Sequence, residues 1–299
     1  MRHGGTHRAV LTGMSPEVVV HRSVPNGEVL LHVASSGTGP PVVLLHGFPA
    51  NRTSWRHQRG PLADAGFTAL APDLRGYNMS RAPARVEAYA PDHLVSDVAA
   101  IVRSTGHNRA HIVGHDWGGV IAWWFAAAHP ELLDRLVILN APHPTIFRRR
   151  VRRPPQLLRS WYAGLFQLPL LPEIALRALD FAALRWIFRA TAPAGTFSRA
   201  EIEGYVAGLG SPRALSAAVN YYRAAVRYAR RAPRRVHTDA PTLVIWGERD
   251  RALSVELLDG IERYAPNVRI ERFRDAGHWV HNEAPDEVTR LLIRFLTQS

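Results

Sequence analysis

A chain of 299 residues with 46% hydrophobic side chains is long enough for one large domain, or one domain carrying an insertion, with ample material for a core. It contains no cysteine, which excludes disulfides, thiolate metal sites and cysteine nucleophiles and is compatible with a cytoplasmic location. The net charge is +12, every basic residue is arginine, and no apolar run reaches the ~18 residues of a membrane span.

Met1 to Met14 lacks the apolar core of a signal peptide, and residues 1–16 are expected to form a disordered extension. Glu17 to Val24 and Glu28 to Ala34 predict two strands joined at Pro25-Asn26-Gly27, an antiparallel hairpin. Pro41 to Leu45 is a continuous apolar run, the mark of a central strand buried on both faces. It ends in His46-Gly47-Phe48-Pro49 and is followed by a predicted helix from Trp55 to Ala65. Phe67 to Ala71 predicts a further strand leading into Pro72-Asp73-Leu74-Arg75-Gly76-Tyr77. A helix over Asp92 to Ser104 precedes a buried strand over Arg109 to Val113, an apolar helix covers Val120 to Ala128, and Leu136 to Leu139 is again a strand. Near the C-terminus, Thr242 to Trp246 and Arg269 to Phe273 predict strands, with helices near Val255 to Tyr264 and over Asp286 to Leu296. This alternation implies a mainly parallel sheet with helices on both faces.

The middle of the chain reads differently. Residues 142–238 hold 17 arginines against four acids (Glu173, Asp180, Glu201 and Glu203), whereas the remainder holds 20 arginines and 21 acids. Proline, arginine and helical patterns dominate this segment, without a clear strand. It is expected to be a helical insertion over the C-terminal edge of the sheet, where open α/β sheets bind ligands. The implied division is a core of residues 17–141 and 239–299 with a cap of residues 142–238.

Val113-Gly114-His115-Asp116-Trp117-Gly118-Gly119 joins a strand to a helix in the pattern Gly-x-Asp-x-Gly, the nucleophile elbow with aspartate in the serine position. Its glycines suit a turn where a Cβ would collide, and the helix N-terminus brings free N–H groups to any developing negative charge. A carboxylate there can attack carbon and form an ester, although an aspartate N-cap on an ordinary helix would have the same local sequence. Hydrolysis of an ester needs a base and an acid to orient it. Asp250 stands just beyond a predicted strand, and His278 lies in the loop after the last one, so nucleophile, acid and histidine follow in α/β-hydrolase order. Imidazole titrates near neutrality, and a carboxylate on its other nitrogen fixes the tautomer. Asn140, at the end of the strand after the elbow, holds the other place for such an acid but is not acidic. The N–H groups of Phe48 and Trp117 are placed to hold an oxyanion.

With these motifs the sequence resembles the α/β-hydrolase superfamily and, within it, the epoxide hydrolases, over about Val20 to Leu296. The resemblance implies an eight-stranded, mostly parallel sheet with an inserted helical cap. It also implies a cis peptide at Phe48-Pro49. The loop Asp73-Leu74-Arg75-Gly76-Tyr77-Asn78-Met79-Ser80 departs from the family in carrying Asn78 where glycine is usual, a mild change because asparagine tolerates the left-handed region. Epoxide hydrolases supply two cap tyrosines to protonate the leaving oxygen. Trp161-Tyr162 and Asn220-Tyr221-Tyr222-Arg223 resemble the segments that hold them, which maps the donors onto Tyr162 and Tyr222, with Tyr221 the neighbour that could face inward instead.

The implied activity is conversion of an epoxide and water to a vicinal diol. Haloalkane dehalogenases share the Asp-His-Asp set but many place asparagine where Phe48 stands; Trp161 or Trp186 could substitute as halide donor. Fluoroacetate dehalogenases carry arginines just after the nucleophile, where this chain has Val120, Ile121 and Ala122. A serine esterase is excluded by Asp116, and a non-catalytic receptor on this fold would not need the full set. His46, Trp161 and Phe166 are expected to line the substrate pocket, and the uncharged run around Trp161 to Leu171 suggests a lipophilic epoxide. No metal or cofactor motif is found and no base-reading motif for specific nucleic-acid binding, and the chain is expected as a monomer or a homodimer. The clusters Arg148, Arg149, Arg150, Arg152, Arg153 and Arg227, Arg230, Arg231, Arg234, Arg235 suggest peripheral contact with anionic membranes.

Overall fold

The computed structural model describes residues 18–298, so the extension expected over 1–16 lies outside the described residues. Eight strands form one sheet in the order β1-β2-β4-β3-β5-β6-β7-β8. They are β1 (Val20–Asn26), β2 (Val29–Ser36), β3 (Pro41–Leu45), β4 (Thr68–Pro72), β5 (Ala110–His115), β6 (Leu133–Leu139), β7 (Thr242–Gly247) and β8 (Val268–Phe273). The pairs β1/β2 and β2/β4 are antiparallel and every other pair is parallel, the mostly parallel sheet read from the sequence.

Burial follows strand alternation. Val43, Leu45, Ile112, Val244 and Trp246 join one apolar cluster, while Val42, Leu44, Val113, Leu243 and Ile245 join a second on the opposite face. Helices α1 (Arg56–Asp64), α2 (Pro91–Arg103) and α3 (Trp117–Ala128) occupy the first half of the chain. Val98 and Ile121 of α2 and α3 pack in the first cluster, and Leu62 of α1 in the second.

Between β6 and β7 the described chain contains helices and no strand. These are α4 (Pro144–Arg150), α5 (Gln156–Arg159), α6 (Trp161–Leu165), α7 (Leu171–Thr191), α8 (Arg199–Gly208) and α9 (Pro212–Arg227). Helix α7 is interrupted where Leu179, Asp180 and Phe181 take positive φ. After β8 follow α10 (Val280–Glu283) and α11 (Pro285–Leu296), and Leu292 of α11 packs beside Leu62 in the second cluster. No helix among the described residues is long and apolar enough to cross a membrane.

Two local expectations are corrected. The hairpin turns at Gly27-Glu28, with Pro25 inside β1 opposite Leu30; β1 is an edge strand, where a missing N–H is tolerated. The helix expected near Val255 to Tyr264 is instead two short 3-10 turns, Val255–Leu258 and Ile261–Arg263, separated by Asp259 in extended backbone and Gly260 at φ 78°. A glycine in the left-handed region ends a helix rather than continuing it.

Candidate active site

Register carries the site. Leu45 of β3 pairs with Gly114 of β5, His115 with Leu139 of β6, and Leu139 with Ile245 of β7. The loops leaving the C-terminal ends of these strands therefore emerge side by side, bringing together Phe48, Asp116, Asn140 and Asp250. Asp116 follows β5 and precedes α3, with φ 50° and ψ −119°, a conformation that costs about 1–3 kcal/mol for a residue other than glycine. It fits because its surroundings are bare: a Cβ on Gly114 would strike the Gly118 carbonyl, and one on Gly118 the Leu45 carbonyl.

The Phe48 N–H donates to Asp116 Oδ1 at 2.8 Å, and the Trp117 N–H also donates to this carboxylate. The other oxygen, Oδ2, lies 3.8 Å from His278 Nε2. Burial pushes the Asp116 carboxyl up, against the opposing pull of His278 and the two N–H groups. His278 Nδ1 meets Asp250 Oδ2 at 2.8 Å. Burial works against the charged imidazole, but the charge and hydrogen bond of Asp250, together with Asp116, outweigh it and lift His278 to about 9. Asp250 is itself fully buried, yet His278, the Leu253 N–H and Asn140 hold its carboxyl below the usual range.

Two helices of the insertion complete the group. Tyr162 of α6 and Tyr222 of α9 face each other edge to face, with ring centroids 5.9 Å apart, and Tyr222 packs 5.0 Å from Trp117 and 5.7 Å from Phe48. Burial raises both phenols, and the nearby negative charge of Asp116 raises them further. Tyr221 packs its ring on Trp117 at 5.8 Å but sends its hydroxyl elsewhere, donating to the Arg75 carbonyl at 2.8 Å.

The family model for the alpha/beta hydrolase fold matches residues 40–285. Epoxide hydrolase 4 of Mus musculus is 36% identical over 276 residues, covering 89% of this chain and 76% of that protein. The chain belongs to the epoxide hydrolase family. An AB hydrolase superfamily protein of Bacillus subtilis (strain 168), YfhM, is 37% identical over 271 residues, covering 90% of this chain and 94% of its own. Among solved structures, an epoxide hydrolase of Bacillus megaterium in complex with an inhibitor superposes with a TM-score of 0.84 at 31% identity, over 93% of this chain and 100% of that one.

Against this family background the remaining expected residues separate. Phe48-Pro49 is cis, and Asn78 takes φ 46° with its side-chain amide donating to Asp73 at 3.0 Å. Phe166 lies within the aromatic group, 4.9 Å from Tyr222 and 5.8 Å from Tyr162. Trp161 does not: it is 67% exposed. Tyr162 and Phe166 are four residues apart and share one side of a helical turn, so Trp161, rotated by about 100°, points outward. His46 is also unavailable to a ligand. It is fully buried and pushed down to about 4 by that burial; its Nδ1–H donates to the Gly47 carbonyl at 3.1 Å and its Nε2 accepts the Leu74 N–H at 3.0 Å. It braces the loop that carries Phe48.

Several supporting residues escaped the sequence reading. Asn140 donates to Asp250 Oδ2 at 2.8 Å and accepts the Gly247 N–H at 2.9 Å, tying the acid to the end of β7. Asp250 Oδ1 accepts the N–H groups of Ala252 and Leu253 at 2.7 and 2.9 Å. Glu283 accepts N–H groups on both sides of the histidine, from Gly277 at 2.7 Å and Trp279 at 2.9 Å, and His115 Nε2 lies 2.9 Å from the His278 carbonyl. The only sequence signal was Asn140, recognised as the place of an alternative acid; the others depend on loop conformation.

Proposed function

We propose that this chain hydrolyses a lipophilic epoxide to a vicinal diol in two steps, through an ester on Asp116, with residues 142–238 acting as a cap over the core. The observation that carries this reading is the meeting of two phenols from separate insertion helices beside a carboxylate whose oxygens are differentiated. Oδ1 is held by the Phe48 N–H, leaving Oδ2 on the His278 side to attack. In the first step Oδ2 attacks an epoxide carbon, the carbon–oxygen bond breaks, and the oxygen takes a proton from Tyr162 or Tyr222. The raised phenols stay protonated at neutral pH, as a donor must.

Esterification removes the Asp116 charge that helps hold the proton on His278. The imidazole then deprotonates more readily, and the proton it releases replaces, by way of solvent, the one the phenol gave to the epoxide oxygen, so that the phenol is restored. Neutral His278, oriented by Asp250, takes a proton from water as the hydroxide attacks the ester carbonyl. The oxyanion forms at Oδ1, which the Phe48 N–H already meets, with the Trp117 N–H on the same carboxylate; one such donor is worth ~100- to 1,000-fold in rate. Collapse expels the diol oxygen, which takes its proton from His278, and the carboxylic acid left on Asp116 passes its own proton to the neutral imidazole, restoring the carboxylate and the protonated His278 of the resting site. The uncharged aromatic lining of Phe48, Trp117 and Phe166 suits an apolar substrate. A chain without cysteine is compatible with the cytoplasm, and the arginine-rich insertion suggests peripheral contact with anionic lipid.

The test compares styrene oxide with 1-bromobutane. Diol should form from the epoxide and no bromide should be released, because the site offers phenols to a leaving oxygen, whereas Trp161 and Trp186, the candidate halide donors, are exposed. Tyr162→Phe combined with Tyr222→Phe should lower diol formation by about 100- to 10,000-fold with an unchanged circular-dichroism spectrum. Bromide release by a wild type that leaves epoxides intact would place the enzyme among the dehalogenases instead.

A further inference from the structure

The exposed side of the insertion carries a second pattern. From Ser160 to Pro172 the sequence has no charged residue. Along and beside this run Leu158 is 72% exposed, Trp161 67%, Leu170 71% and Ile174 64%, with Leu157 and Leu171 also exposed. Soluble chains rarely leave this much large apolar side chain together in water unless something covers it.

The segment cannot turn these side chains inward, because its inner side is already occupied. Tyr162 and Phe166 fill the site, Arg223 donates to the Phe166 and Leu168 carbonyls at 3.0 and 2.6 Å, and Arg159 donates to the Asp250 carbonyl at 2.7 Å. The outward display is thus fixed by the same contacts that hold Tyr162 in place.

Immediately before the run stand Arg148, Arg149, Arg152 and Arg153, all exposed and without an acidic partner among the described residues. Their neighbour Arg150 is different, pairing with Asp259 at 3.0 Å, and in the second arginine cluster Arg231 pairs with Glu87 and Asp92. The four unpaired arginines decide what covers the apolar face. A second copy docked face to face about a two-fold axis would set four arginines against four. An anionic bilayer supplies headgroup phosphates for the guanidinium groups and an acyl boundary for leucine and tryptophan.

We infer that the run from Leu157 to Ile174, with Arg148, Arg149, Arg152 and Arg153 at its border, is an interfacial docking surface for anionic lipid bilayers, placing Tyr162 one residue from the membrane-facing side. This deepens the lipid-contact reading by naming the inserting element, and it does not depend on the reaction itself. The shallow seat buries apolar side chains at the headgroup boundary while the guanidinium groups stay in the headgroup layer. Binding therefore has a salt-sensitive part and a salt-resistant part.

The test is co-sedimentation of the full chain with vesicles of phosphatidylglycerol and phosphatidylcholine, or of phosphatidylcholine alone, at low and high salt. The wild type should bind the anionic vesicles at low salt and retain part of that binding at high salt. Replacing Arg148, Arg149, Arg152 and Arg153 by glutamine should weaken binding roughly fivefold for each arginine removed. Leu158→Ser with Leu170→Ser and Ile174→Ser should abolish the salt-resistant part, and both variants should turn over styrene oxide within about twofold of the wild type. The inference is overturned if the wild type stays in the supernatant at low salt or if neither variant changes binding. It is equally overturned if the wild type sediments as a dimer that the serine variant dissociates, without vesicle binding. A chain that fails to bind lipid yet forms diol leaves the catalytic reading intact; one that binds lipid but leaves epoxides untouched separates the two in the other direction.

Discussion

Asp116→Asn should lower the pKa of His278, and the size of the change follows from the geometry. The carboxylate Oδ2 is 3.8 Å from His278 Nε2, and the Asp116 side chain is 18% exposed. At an effective dielectric of about 20, a charge pair at that distance is worth about 4 kcal/mol, equivalent to about 3 pKa units, and solvent at the site mouth reduces it. Asparagine removes the negative charge but keeps an oxygen for the Phe48 N–H, and Asp250 stays 2.8 Å from Nδ1. The imidazole should therefore fall from about 9 to roughly 6–8. The assay is a pH titration of histidine ring signals in 15N-labelled protein, with His278 identified by the signal missing from His278→Gln. The variant imitates the charge of the ester enzyme, so this fall would put the base in working range for the second step. A His278 that titrates at the same pH or higher in Asp116→Asn would refute the idea that esterification itself activates the base.

Two further outcomes concern the frame around the site. Asn140→Ala leaves the Gly247 N–H and part of the Asp250 carboxylate without buried partners, which should cost about 1–3 kcal/mol of stability and also lower kcat; a variant matching wild type in both Tm and kcat would contradict the bracing role. Acid should also destabilise the fold. Burial holds His46 and His143 near 4, well below the ~6.5 of an unfolded histidine. Between these values the unfolded chain binds more protons, so stability falls as pH falls from about 6.5 towards 4, on the order of 1–2 kcal/mol for each histidine at pH ~5. The raised His278 contributes in a different window, its stabilisation being complete below about 6.5 and lost as pH rises through about 9. Urea unfolding should show a lower midpoint at pH ~5 than at pH ~7, and equal midpoints would argue against neutral burial.

The centre of the sheet was legible because its strands are short and apolar and end near glycine or proline; Pro41 to Leu45 was placed without error. The elbow was legible for a steric reason, since Gly114 and Gly118 are needed where carbonyls crowd the turn. Chain order then pointed to Asp250 and His278, which the structure brings together with Asp116. What sequence could not give was rotation about a helix axis. Tyr221 and Tyr222 are adjacent and chemically identical, and only packing sends the hydroxyl of the first to the Arg75 carbonyl and the ring of the second among Phe48, Tyr162 and Phe166. Trp161 fails for the same reason, one residue out of phase with Tyr162 and Phe166. His46 fails because its partners, Gly47 and Leu74, belong to the loops after β3 and β4. The break at Gly260 was visible as a glycine, but the hydrophobic spacing around it imitated a helix.

The central claim is that Asp116 becomes covalently bound to the substrate and that His278 is needed only to release it. Intact-protein mass spectrometry of His278→Gln after exposure to styrene oxide tests this most directly. The folded variant should gain the mass of one styrene oxide, peptide mapping should place it on Asp116, and the wild type should show none at steady state. A folded His278→Gln that stays unmodified, or one modified at a residue other than Asp116, would contradict the account.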